Sequence, residues 1–155
     1  MSKVPLYGPR RFARPAFVFM AVAFAAGVTI QIFIAGLAIF VNPVNWAGHA
    51  DLGHILLPWP PLLLLLALVG RLPRSVKWQC AALVGLIFVQ FYTPGMTRDL
   101  PWAAASHPVI AMVLFWASVR IATNAWRLAS EPDLKSETEQ VDKIIPVHTA
   151  IAETE

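Results

Sequence analysis

Apolar residues along this chain gather into four long runs separated by short polar or proline-bearing breaks. The first, Pro15 to Val41, carries no charge and exceeds the ~20 residues that a helix needs to cross a bilayer. A basic arm before an apolar run resembles a signal peptide, but this run is longer than the roughly 7–15 residues of a cleavable core and reads as a retained helix. The second is interrupted by Pro58, Pro60 and Pro61, which remove helical hydrogen bonds. Starting it at Ile55 would leave it too short, so it runs from about Asp51 to Gly70, with a kink expected near Trp59. Val76 to Thr93, closed by Pro94-Gly95, makes the third. Pro101 to about Trp126 makes the fourth, opening with proline in the favourable first turn. Short links force neighbouring helices to run antiparallel. The expected fold is therefore all-α, an integral-membrane up-down-up-down four-helix bundle.

Composition agrees with that pattern. The 155 residues are 57% hydrophobic and only 14% charged, against roughly 25% charged in soluble domains, and the mean hydropathy is +0.62. This excludes a soluble globule. The single cysteine, Cys80, excludes a disulfide scaffold and a zinc–thiolate centre and reads as an inert small hydrophobe. The formal charge of +3 does not point to nucleic acid, because the basic residues flank the apolar runs instead of forming a patch. Lys3, Arg10, Arg11 and Arg14 precede the first run and Arg71, Arg74 and Lys77 follow the second, whereas the other two links hold only Arg98. By the positive-inside rule both termini are cytoplasmic, in a bacterial inner membrane. Residues 1–14 then form a basic cytoplasmic arm and 15–127 the transmembrane domain. Residues 128–155, rich in acidic side chains, form a tail expected to be disordered.

Polar side chains within the runs carry the candidate chemistry, since they are costly in hydrocarbon and tend to face the bundle interior. Gln31, His54, Gln90 and His107 supply one per run. Small and polar residues sharing their faces mark the packing surfaces, leaving Phe17, Phe24, Leu62 to Leu66 and Ile87 for lipid. His54, Gln90 and His107 should all lie near the outer boundary, and the second and fourth helices are diagonal in an up-down bundle. His54 and His107 would then face each other, as the two axial ligands of a membrane b-type haem do. In that reading they are the metal ligands, and Gln31 and Gln90 support them or contact a quinone. The plainer reading is a polar layer that only fixes helix register in a non-enzymatic subunit. Both stay open, as do a quinone or metal pocket and a membrane redox partner. His49 lies about 140° from His54 on a helix. It either caps the pocket from the loop with Trp46 and Asp51 or is simply exposed. Trp46, Trp59 and Trp102 on one side, and Trp78 and Trp126 on the other, read as interfacial anchors. A cavity is expected at the outer end, lined by Gln31, His54, Gln90 and His107. No serine, aspartate or glutamate nucleophile sits among these residues to suggest a hydrolase.

The chain resembles an uncharacterised family of small bacterial four-helix membrane proteins, one of the domains of unknown function. The resemblance rests on Gln31-Ile32-Phe33-Ile34-Ala35-Gly36-Leu37, on Trp46, His49, Leu52, Gly53 and His54, and on Gly70-Arg71-Leu72-Pro73-Arg74. Gln90, Pro101-Trp102 and His107-Pro108-Val109 continue it. The family pattern has leucine and asparagine where this chain has Ser106 and Ile110. The resemblance implies the fold and no particular activity. A looser likeness to one half of haem A synthase, another four-helix unit with histidines near its outer side, implies haem by analogy.

Overall fold

The chain, as a computed structural model, is described over residues 10–130, with side chains over residues 12–127. Most of the arm and nearly all of the acidic tail lie outside the described residues. The described residues form six α-helices: α1 (Arg10–Phe40), α2 (Asn45–Leu56), α3 (Trp59–Val69), α4 (Arg74–Tyr92), α5 (Pro101–Ala105) and α6 (His107–Ser130). A 3₁₀ turn at Thr93–Met96 follows α4. They form four helical stretches long and apolar enough to cross a membrane: Phe12–Phe40, Asn45–Val69, Arg74–Met96 and Pro101–Arg127. In this bundle α1 packs on α2, α3 and α6, while α4 packs on α3 and α6.

Proline sets the breaks. Pro58, Pro60 and Pro61 supply no N–H groups, so the second stretch parts into α2 and α3 at Leu57–Pro58, where the kink was expected. A second break, at Ser106, separates α5 from α6 and was not anticipated. Pro108 lacks the N–H that would otherwise bond back across it, and Ser106 turns its hydroxyl onto the Ala103 carbonyl, 2.6 Å away. Asn42 shapes the α1–α2 link by accepting from the Val44 N–H at 3.0 Å. The α3 end is a Schellman turn in which the Leu72 N–H reaches the Ala67 carbonyl at 3.0 Å. Its left-handed position is taken by Arg71, with φ 50°, where glycine is usual.

The core reverses one expectation. Ala13, Phe17, Ala21, Phe24 and Val28 follow each other by three or four residues along α1 and are all buried. Phe17 and Phe24 are 1% and 0% exposed, and Leu63 and Ile87 are buried with them. These large side chains fill the interior instead of facing lipid, because close packing of four helices needs their volume. Leu62 and Leu65 do point outward, as expected. Trp59 is half-buried beside Phe24, with ring centroids 6.5 Å apart, so it is a packing residue more than an anchor. Phe19, Phe33, Phe40 and Met112 are among many large apolar side chains left exposed.

Candidate functional site

The polar groups converge where α1, α2, α4 and α6 come together at one end. His107 is the first residue of α6, placed by the Ser106 break so that its ring reaches the end of α4. Its Nδ1 lies 3.0 Å from the Gln90 carbonyl and 3.2 Å from Thr93 Oγ1. A carbonyl only accepts, so Nδ1 carries the hydrogen. Nε2 then keeps its lone pair and accepts from the Gln90 side-chain amide at 3.0 Å. The ring is a neutral imidazole held at both nitrogens. Thr93, which sequence reasoning missed, is buried and donates to the same Gln90 carbonyl at 3.2 Å.

A second reciprocal pair faces it. The Gln31 side-chain N–H donates to the His49 carbonyl at 2.6 Å, and His49 Nδ1 donates to the Gln31 carbonyl at 3.1 Å. Gly53 makes the first bond accessible: a Cβ there would come within 3.3 Å of Gln31 Nε2. The His49 and His107 rings are 6.3 Å apart, and Trp46 lies edge-on to His49 at 5.4 Å. Asp51 is exposed. Gln31 Oε1 and Gln90 Oε1 are buried and find no donor among the described residues.

His54 is elsewhere. It is exposed, its Nδ1 donates to the Ala50 carbonyl of its own helix at 2.7 Å, and its ring stands edge-on to Phe91 at 5.0 Å. The histidine that meets His107 is His49. Leu56 decides this by seating on Gly27, where a Cβ would lie only 2.7 Å from Leu56 Cδ2. That contact turns Asn45, His49, Leu52, Gly53 and Leu56 inward as one stripe and His54 outward. The expected pair of axial ligands is therefore not formed, and His107 Nε2 is already engaged by Gln90. These residues do not fit a haem held between His54 and His107, nor a metal ion shared by them. Among the described residues no three His, Cys, Asp or Glu side chains are grouped to hold a metal ion. At the far end of the same two helices, Asn124 Nδ2 donates to Gln79 Oε1 at 3.2 Å, a simple tie between α4 and α6.

With Gln31, His49 and Gln90 placed, the stretch that contains them can be compared with known proteins. Residues 31–96 match a family of unknown function, DUF6220. The DUF6220 segment runs from the last third of α1 through the 3₁₀ turn, and so includes Gln31, His49, Gln90 and Thr93 but not His107. It agrees with the resemblance to an uncharacterised family. No curated protein and no solved structure matches the chain, and the likeness to haem A synthase gains no support.

Proposed function

We propose that this is a small bacterial inner-membrane protein of four up-down spans with both termini cytoplasmic, whose outer His/Gln cluster binds the hydroxyl-bearing head of a quinol. The membrane reading is supported by the four apolar stretches and the outward-facing aromatic residues. Seven basic residues in the arm and the inner link, against Arg98 alone in the outer links, support the orientation. Reporter fusions after Asn45 and Arg98 should read out as external; cytoplasmic activity at either position refutes the topology.

One observation carries the ligand. Gln31 Oε1 and Gln90 Oε1 are buried acceptors without donors among the described residues, beside the His49 and His107 rings. No donor among the described residues reaches them, and both imidazoles direct Nδ1 at a backbone carbonyl. A ligand that brings hydroxyl donors on a flat ring and arrives through the bilayer meets both needs, and leaving such oxygens unmet costs about 1–3 kcal/mol each. The expected result is saturable binding of a short-chain quinol to the protein in nanodiscs. Gln31→Leu with Gln90→Leu should weaken it at least about tenfold, the loss of one 1.4 kcal/mol contact. A Soret band that disappears in His54→Ala and His107→Ala returns the site to haem. Colourless protein without saturable binding leaves the second reading, an accessory subunit whose polar layer only ties helices together. The direct bonds from Gln31 to His49 and from Gln90 to His107 favour that reading.

A further inference from the structure

The opposite end of the bundle holds a different kind of site. Between residues 10 and 130 the acidic side chains are Asp51 and Asp99 alone, and both lie toward the His49–His107 end. On α6, Arg120 and Arg127 are seven residues apart and so project within about 20° of each other. Trp116 and Thr123 share their side, and all four are exposed, while Leu114, Ser118, Ile121 and Ala125 face the core. The Arg120 guanidinium lies over the Trp116 ring, 5.0 Å from its centroid, and that ring is 59% exposed. Thr123 turns its hydroxyl back onto the Arg120 carbonyl at 3.0 Å and offers the guanidinium nothing.

Arg120 sits about 10 Å short of Arg127 along the helix axis, within the last apolar stretch. A guanidinium facing hydrocarbon at that depth is costly unless its stem carries it toward the interface and an anion meets it there. The described fold supplies no carboxylate at that end. We propose that Arg120 and Arg127 hold the phosphate of an anionic phospholipid of the inner leaflet, with Trp116 backing the guanidinium and lying along the acyl chain. Guanidinium N–H groups match phosphate oxygens in pairs, and the aromatic face steadies the cation without competing for its donors. The proposal rests on the membrane orientation given above.

Native mass spectrometry of the full chain, released from detergent with equal amounts of phosphatidylglycerol and phosphatidylcholine, tests it. The wild type should retain phosphatidylglycerol preferentially, by about fivefold for each arginine engaged. Arg120→Gln with Arg127→Gln should remove the preference, and Arg98→Gln at the other end should leave it intact. Equal retention of the two lipids by the wild type, or a preference unchanged in the double variant, overturns the proposal. So does a preference that emerges only with Glu131→Gln and Asp133→Asn, which would assign the arginines to the chain's own tail. A chain that stays in solution without detergent and keeps neither lipid overturns the membrane reading and this site with it; the other failures leave that reading standing.

Discussion

Replacing His107 by leucine is expected to destabilise the protein by about 2 kcal/mol, the cost of stranding a buried hydrogen-bonding group. The stranded group is the Gln90 side-chain N–H, which donates to His107 Nε2 and has no other partner among the described residues. Gln90→Leu should cost a similar amount by leaving that Nε2 without its donor. The decisive variant carries both changes. With neither end present the double variant should be more stable than the sum of the singles predicts, by at least about 1 kcal/mol. Unfolding midpoints in detergent across the four proteins measure this. Strict additivity would mean that the two side chains do not support each other.

Gly27→Leu should have a larger effect, about 3 kcal/mol, at the upper end of what overpacking costs. A Cβ at residue 27 would already crowd Leu56 Cδ2 at 2.7 Å, and Leu56 is buried, so a full leucine has to push α2 away from α1. One turn further along α1 is Gln31, whose bond to the His49 carbonyl depends on that approach. The same substitution should therefore weaken quinol binding as well as stability. Leu56→Ala makes room, and placed in the Gly27→Leu chain it should restore stability even though on its own it removes core volume. If the two losses simply add, the contact between Gly27 and Leu56 is not what positions α2.

The four helical stretches could be read from the chain because their signals are long: four apolar runs and the prolines around Trp59. The rotation of each helix was harder to read. On α1, polar and small residues suggested the inner face, yet Phe17 and Phe24 fill it, since interior volume outweighs the polarity of a single stripe. On α2, an inward stripe of Asn45, His49, Leu52, Gly53 and Leu56 is present at helical spacing, and following it would have selected His49. The choice of His54 rested on its depth and on the diagonal placement of the second and fourth helices, whereas the rotation of α2 is set by its contacts with Gly27 and Gln31. Gln90 is in direct contact with His107, and Gln31 reaches that pair only through His49. Thr93 was overlooked because a threonine before proline reads as the end of a helix, and only the neighbouring His107 gives its hydroxyl a further contact.

The two breaks fall on the same pair of stretches. Those that contain His49 and His107 are each divided by proline, at Leu57–Pro58 and at Ser106, while α1 and α4 run through without interruption. Each divided stretch therefore contributes one imidazole to the cluster, His49 or His107, and each unbroken helix one glutamine, Gln31 or Gln90. The two breaks are not equivalent, because Leu57–Pro58 separates His49 from α3 whereas the Ser106 break leaves His107 on α6 together with Asn124. His107 is thus joined to the Gln79–Asn124 end by an unbroken helix, as Gln90 is by α4, and among the described residues α2 is the one carrier of the cluster that a break sets apart from the rest of its stretch.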